Sequence, residues 1–122
     1  MLSRKKNIVL LFSIVVILTA PSCYYDKSDL LSLSNIPCSS VDSKFSTAIS
    51  PLIQSKCSSS GCHDAATGAG NAVLVTYAQI FAKAGRINQR CVIDRTMPTG
   101  TPLSDSEVAS IRCWVDAGAQ NN

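Results

Sequence analysis

Two cysteines stand directly before the only histidine of this 122-residue chain, in the stretch Cys57-Ser58-Ser59-Ser60-Gly61-Cys62-His63. This set of groups is what covalent haem attachment needs, because two thiols add to the haem vinyl groups and the adjacent histidine binds the iron. The usual spacing is C-x-x-C-H, whereas four residues separate these cysteines. The spacer must therefore bulge outward, and Gly61 can adopt the positive φ that such a bulge needs. The sequence predicts one haem c, with Cys57 and Cys62 forming thioethers and His63 binding iron.

A second axial ligand is predicted at Met97. A haem iron with six ligands needs a further axial group, and methionine is a common choice. The chain has two methionines, and Met1 lies in a segment that we expect to be removed. Met97 lies in the run RTMPTGTP over residues 95–102, where Pro98 favours extended backbone and the Pro and Gly residues exclude a helix. Taken alone, a methionine in such a loop more often fills a gap in a core.

The N-terminus has the layout of an export signal. A basic segment at residues 4–6 precedes an apolar run over residues 8–18, and small residues lead to Cys23. The run is too short to cross a bilayer, which takes roughly 20 residues. We expect residues 1–22 to be a cleaved signal peptide and Cys23 to be lipidated, anchoring the protein to the inner or outer membrane of a bacterium, facing the periplasm or the cell surface. Cleavage without lipidation is the alternative, because the residues just before Cys23 depart from the usual lipoprotein pattern.

Composition and length limit the functions and the size of core that the rest of the chain can have. The formal charge of +3 comes from eleven basic and eight acidic residues, and three of the basic ones lie in the signal, so the mature chain is close to neutral. Neutrality gives no support to nucleic-acid binding. The Ser-rich residues 23–41 suit a lipid-anchored tether. Residues 42–122 remain as one domain, and a core of that size is marginal alone, so a buried haem would form much of what it packs around.

Three helices and no convincing strand pair predict an all-α fold. The first helix is predicted to start at Ser50-Pro51, within an apolar stripe formed by Phe45, Ile49, Leu52 and Ile53. The second runs from Tyr77 to Ala84 and ends at Gly85, and the third ends at Gly118. Two capping boxes start these helices, formed by Thr76 with Gln79 and by Ser104 with Glu107. A loop is predicted between residues 64 and 75.

Cys113 lies on the polar side of the third predicted helix. At 100° per residue it falls about 170° from the centre of the apolar face, which is formed by Val108, Ile111 and Val115. An outward cysteine in an oxidising compartment is expected to form a disulfide. The favoured partner is Cys38, which would join the start of the domain to its final helix. Pairing of Cys91 with Cys113 remains open.

These features resemble the small single-haem c-type cytochrome domains of bacterial lipoproteins. The resemblance covers roughly residue 45 to the C-terminus and rests on the C-x4-C-H site after a short helix, the Met-Pro loop and the closing segment CWVDAGA at 113–119. It implies a cytochrome c-like domain of about three helices around a covalent haem. It also implies His63 as proximal and Met97 as distal ligand, and Trp114 packed near the haem or against the first helix. A side chain that simply fills the core is the favoured alternative for Trp114.

Electron transfer is the leading functional hypothesis, because a haem with both axial positions filled passes single electrons and leaves no open iron position for catalysis. We expect a monomer that is not an enzyme and that exchanges electrons with redox partner proteins. A disulfide-stabilised structural or binding lipoprotein without haem is the alternative. A zinc site is a third hypothesis, built from Cys57, Cys62, His63 and either Cys91 or Cys113.

Overall fold

The first helical segment leads directly into the cysteine motif. The computed structural model describes residues 36–122. Helix α1 spans Ser50–Lys56 and follows a π-helical turn over Phe45–Ile49, in which the Ser50 amide bonds to the Phe45 carbonyl. The prediction of Ser50-Pro51 as a start holds for the α-helix, but helical backbone begins at Phe45. The reason is burial, because Phe45 and Ile49 are both core residues and a turn at this point keeps them on the buried face.

The middle of the chain is helical over a longer stretch than predicted. Helix α2 spans Tyr77–Ala82, α3 spans Ala84–Ile87, and a π-helical segment continues over Asn88–Ile93. The capping box of Thr76 with Gln79 is present at the start of α2. The predicted end at Gly85 is wrong, since Gly85 lies inside α3. Buried side chains recur along this segment at helical spacing, at Ala84, Ile87, Cys91 and Val92. Their packing outweighs the low helix propensity of one glycine, about 1 kcal/mol.

Helix α4 spans Asp105–Asp116 and matches its prediction closely. Ser104 and Glu107 form the capping box, and Gly118 follows the helix with φ 87°. No strand occurs within residues 36–122, so the all-α prediction is confirmed for that part of the chain. None of the helices described there is long and apolar enough to cross a membrane.

The core lies where α4 packs against the first helical segment and against the π-helical segment Asn88–Ile93. Trp114 is 1% exposed, its ring centroid is 6.0 Å from that of Phe45, and its Nε1 donates to the Gln120 carbonyl at 3.0 Å. The C-terminus is tied to the same region, because the Ser46 amide donates to the Asn122 carbonyl at 2.9 Å. Trp114 therefore packs against the first helical segment, which is one of the two positions that the resemblance implied.

A disulfide joins Cys38 to Cys113, the pairing favoured from the sequence. The alternative partner, Cys91, is a free buried thiol, so a Cys91–Cys113 bond is not formed. Cys113 is 2% exposed because residues 36–41, the end of the predicted tether, lie over it. Closing a loop of 75 residues stabilises the fold by about 4 kcal/mol in the chain-entropy account. The predicted signal peptide and Cys23 lie outside the described residues.

Candidate functional site

One cavity of about 610 Å³ is lined by all four side chains predicted to hold haem, namely Cys57, Cys62, His63 and Met97. Cofactor sites commonly have volumes of roughly 300 to 1,000 Å³ and mostly apolar walls. Apolar residues contribute to each side of this cavity, among them Ile53, Leu74 and Ile87. The fold thus brings together residues that are up to 40 positions apart in the sequence, from Cys57 to Met97.

The ring orientation of His63 is set by a backbone carbonyl. Its Nδ1 lies 2.9 Å from the Ala72 oxygen. A carbonyl oxygen can only accept a hydrogen bond, so Nδ1 carries the proton and donates it. In the neutral imidazole the Nε2 lone pair is then available to a metal, which is the usual arrangement of a metal-binding histidine. His63 is therefore held in the tautomer that an axial ligand needs.

The four-residue spacer folds back onto the end of α1. The amides of Cys57 and Ser58 both donate to the Ile53 carbonyl at 2.9 Å, and the His63 amide donates to the Cys57 carbonyl at 3.0 Å. Gly61 has φ 85°, as the predicted bulge requires. The hydrogen bond from His63 to Cys57 closes the loop, so the second cysteine and the histidine return to the same cavity wall as the first.

Further hydrogen bonds hold this loop against the segment formed by residues 69–74. The Ala69 amide donates to the Cys62 carbonyl at 2.9 Å, and the Leu74 amide donates to the His63 carbonyl at 2.9 Å. The Ser58 hydroxyl donates to the Leu74 carbonyl. These bonds join both ends of the cysteine motif to segment 69–74, which also supplies the Ala72 oxygen. The loop predicted between residues 64 and 75 is thus an ordered part of the site.

Burial keeps two of the cavity thiols protonated. It is the main cause that raises the pKa of Cys57 to about 12, with further contributions from Cys91 and Cys62. Burial alone raises the pKa of Cys91 to about 11. Within residues 36–122 no three His, Cys, Asp or Glu side chains are arranged to hold a metal ion, and Cys113 is used by the disulfide.

Met97 lies on the loop that closes the cavity. The amides of Thr96 and Met97 both donate to the Arg90 carbonyl, at 2.9 and 3.2 Å, which holds the loop against the π-helical segment. The side chain of Met97 is 37% exposed and contributes to the wall of the cavity. It does not belong to the buried core, so the interpretation of Met97 as core filling is not supported.

Several lining residues were missed from the sequence. Cys91 appeared only as a candidate for a disulfide or zinc, whereas its thiol lines the cavity. Arg86 and Arg90 also line it, as does Lys83, which lies within the predicted second helix. The four-residue spacing of Arg86 and Arg90 is a helical signal, but it was hidden because the predicted helix ended at Gly85. The Ala72 carbonyl has no sequence signal, since every residue carries one.

No family model, curated protein or solved structure matches this chain. The resemblance to c-type cytochromes therefore remains a prediction, and the functional argument depends on the geometry of the cavity.

Proposed function

We propose that this protein is an exported electron-transfer protein with a cytochrome c-like domain that carries one haem c in the cavity. Cys57 and Cys62 would hold the haem through thioethers, and His63 and Met97 would be its axial ligands. The observation that carries the proposal is the hydrogen bond from His63 Nδ1 to the Ala72 carbonyl, at 2.9 Å. It prepares Nε2 as a ligand in a histidine that directly follows two free cysteines.

The residues of the cavity suit a redox role. Haem bound with both axial positions filled by the protein supplies one-electron transfer and offers no open position for a substrate. The Ala72 hydrogen bond holds the His63 ring in one orientation. The buried side chains of Ile53, Leu74 and Ile87 contribute an apolar wall to the cavity. A neutral thioether from Met97 favours the ferrous state and hence a comparatively high reduction potential.

The compartment and the partners belong to the same proposal. Disulfides persist in oxidising compartments, so the Cys38–Cys113 bond is compatible with export. Lipidation at Cys23 would anchor the domain to a bacterial membrane through residues 24–41. We propose that the protein acts as a monomer and exchanges electrons with other redox proteins.

Haem staining after denaturation and reduction tests the proposal. Protein made in a bacterium with haem-attachment machinery should keep its haem absorbance, and its mass should include one haem. Cys57→Ser with Cys62→Ser should lose the stain at equal amounts of chain. Cys91→Ser is the matched control, because Cys91 lines the same cavity and should leave attachment intact. A parent without covalent haem would refute the proposal, and disulfides alone would then favour the haem-free structural lipoprotein.

A further inference from the structure

Positive charge is concentrated at the cavity although the domain is close to neutral. Residues 36–122 contain seven lysines and arginines and six aspartates and glutamates. Four of the basic residues line the cavity and none of the acidic ones does. The four are Lys56, Lys83, Arg86 and Arg90. Like charges gathered at one site destabilise the compact state unless an anion compensates them.

The side chains of the described residues provide little of that compensation. Arg90 forms an ion pair with Asp94, but the distance is 3.9 Å and both side chains are exposed, so the pair stabilises little. The pKa of Glu107 is lowered mainly by the hydrogen bond from the Ser104 amide, and Lys56 is close enough to make a small further contribution. Lys83 and Arg86 form no ion pair with any residue between 36 and 122. Among the four cations, these two are therefore the ones that an added anion would stabilise most.

We infer that Lys83 and Arg86 bind the two carboxylates of the molecule that occupies the cavity. This assignment rests on the proposed function, in which those carboxylates are the haem propionates. The porphyrin edge that bears the vinyl groups would be fixed by Cys57 and Cys62, so the propionate groups lie on another edge of the ring. Lys83 and Arg86 come from the part of the chain after residue 82 and not from the cysteine loop.

The position of Arg86 suits a carboxylate at the cavity mouth. Its Nη2 atom lies 3.9 Å from where a Cβ atom on Gly70 would be, so the guanidinium reaches from α3 to segment 69–71. A guanidinium offers a planar pair of N–H donors that matches a carboxylate, whereas an ammonium acts as a point charge. Arg86 is expected to make the stronger contact, with Lys83, the residue just before α3, adding a second charge.

Resonance Raman spectra of the haem-loaded protein test this assignment, because the propionate-bending band responds to hydrogen bonding at those carboxylates. Arg86→Gln and Lys83→Gln should each shift the band to lower frequency, and the double variant should shift it further. Arg86→Lys should give a smaller shift than Arg86→Gln, since it keeps the charge and loses the paired donors. Lys44→Gln is the matched control, because it removes one exposed lysine that does not line the cavity.

The outcomes separate this inference from the proposed function. A parent without covalent haem overturns both. Haem-loaded Arg86→Gln and Lys83→Gln variants whose band is unchanged, or is shifted no more than in Lys44→Gln, overturn the assignment alone. An unchanged band combined with slower oxidation by an anionic reagent would instead assign the two cations to docking of an acidic partner, and that result also overturns it.

Discussion

A single hydrogen bond sets the tautomer of His63, the candidate iron ligand. The bond to the Ala72 carbonyl fixes which ring nitrogen carries the proton. The sequence makes this histidine a candidate ligand through its position after Cys62, because that local pattern has few other uses. The accepting carbonyl lies nine residues further along the chain. Its position depends on how segment 69–74 folds over the cysteine loop, and backbone groups carry no sequence signal.

Substitution of Met97 tests the distal ligand. The side chain is 37% exposed and lies outside the core. The contacts that Met97→Ala removes from the polypeptide should therefore change the free energy of unfolding by less than about 1 kcal/mol. Any large effect must then come from the iron. We expect the covalent haem to remain, the weak far-red absorption band to disappear, and the reduction potential to fall, because the axial ligand controls the potential. Carbon monoxide should bind to the vacated position.

Met97→His is the matched control for ligand identity. Histidine should lower the potential as well, but it should keep the iron closed to carbon monoxide. A parent that already binds carbon monoxide readily, or an alanine variant that keeps both band and potential, would show that Met97 is not the ligand. A lysine at the cavity, such as Lys56 or Lys83, would then be the candidate.

At the scale of elements, the cysteine loop depends on the backbone of Gly61. Gly61 has φ 85°, whereas Gly85 lies inside α3, and an added Cβ would meet no atom within 4 Å at either position. The two glycines therefore differ in backbone conformation and not in available space. Gly61→Ala should destabilise the protein by about 1 to 2 kcal/mol and lower haem loading, because the left-handed region is costly for alanine. Urea unfolding and the ratio of haem absorbance to protein measure both effects.

Gly85→Ala is the control for that prediction. Alanine has the higher helix propensity, so this variant should be stabilised by about 0.5 to 1 kcal/mol and should load haem normally. If both variants behave alike, positive φ at Gly61 is not what the loop requires.

An element could be predicted from the sequence when a few neighbouring residues determine it, and not when distant contacts do. Both capping boxes were predicted because four consecutive residues form each of them. The end at Gly85 was predicted wrongly because the continuation to Ile93 depends on tertiary burial of Ile87, Cys91 and Val92. That error also hid the cations, since Arg86 and Arg90 could not be placed on a helical face without the helix.

For the whole molecule, composition predicted neutrality but not the distribution of charge. Equal numbers of acidic and basic residues in the mature chain suggested little long-range steering. The fold separates the charges, because four cations line the cavity and no acidic residue of the described chain does. Charge distribution depends on which residues the topology brings together, whereas a net charge is a simple count. The cysteine motif, in contrast, predicted the centre of the site because its residues are adjacent in sequence.

For the whole molecule we also expect the fold to depend on the proposed occupant of the cavity. Residues 36–122 would have a free energy of unfolding of about 5 to 10 kcal/mol if they were typical of globular domains. Bound haem would add contacts between the ring and the apolar walls of the cavity, to which Ile53, Leu74 and Ile87 contribute. The disulfide remains in either state and cannot replace those contacts. Cys57→Ser with Cys62→Ser should therefore lower the free energy of unfolding by several kcal/mol relative to the haem-loaded parent, as cofactor loss does in other small domains.

Urea unfolding followed by far-ultraviolet circular dichroism measures this dependence. Cys91→Ser is the control, because it changes a buried thiol of the same cavity, keeps the haem, and should cost only about 1 kcal/mol. Protein with the native sequence made without haem-attachment machinery should unfold at the same low urea concentration as the double serine variant. Equal midpoints for the haem-loaded parent and both haem-free forms would mean that the polypeptide core alone specifies the fold. The cavity would then be a pre-formed site and not a part of the core that haem completes.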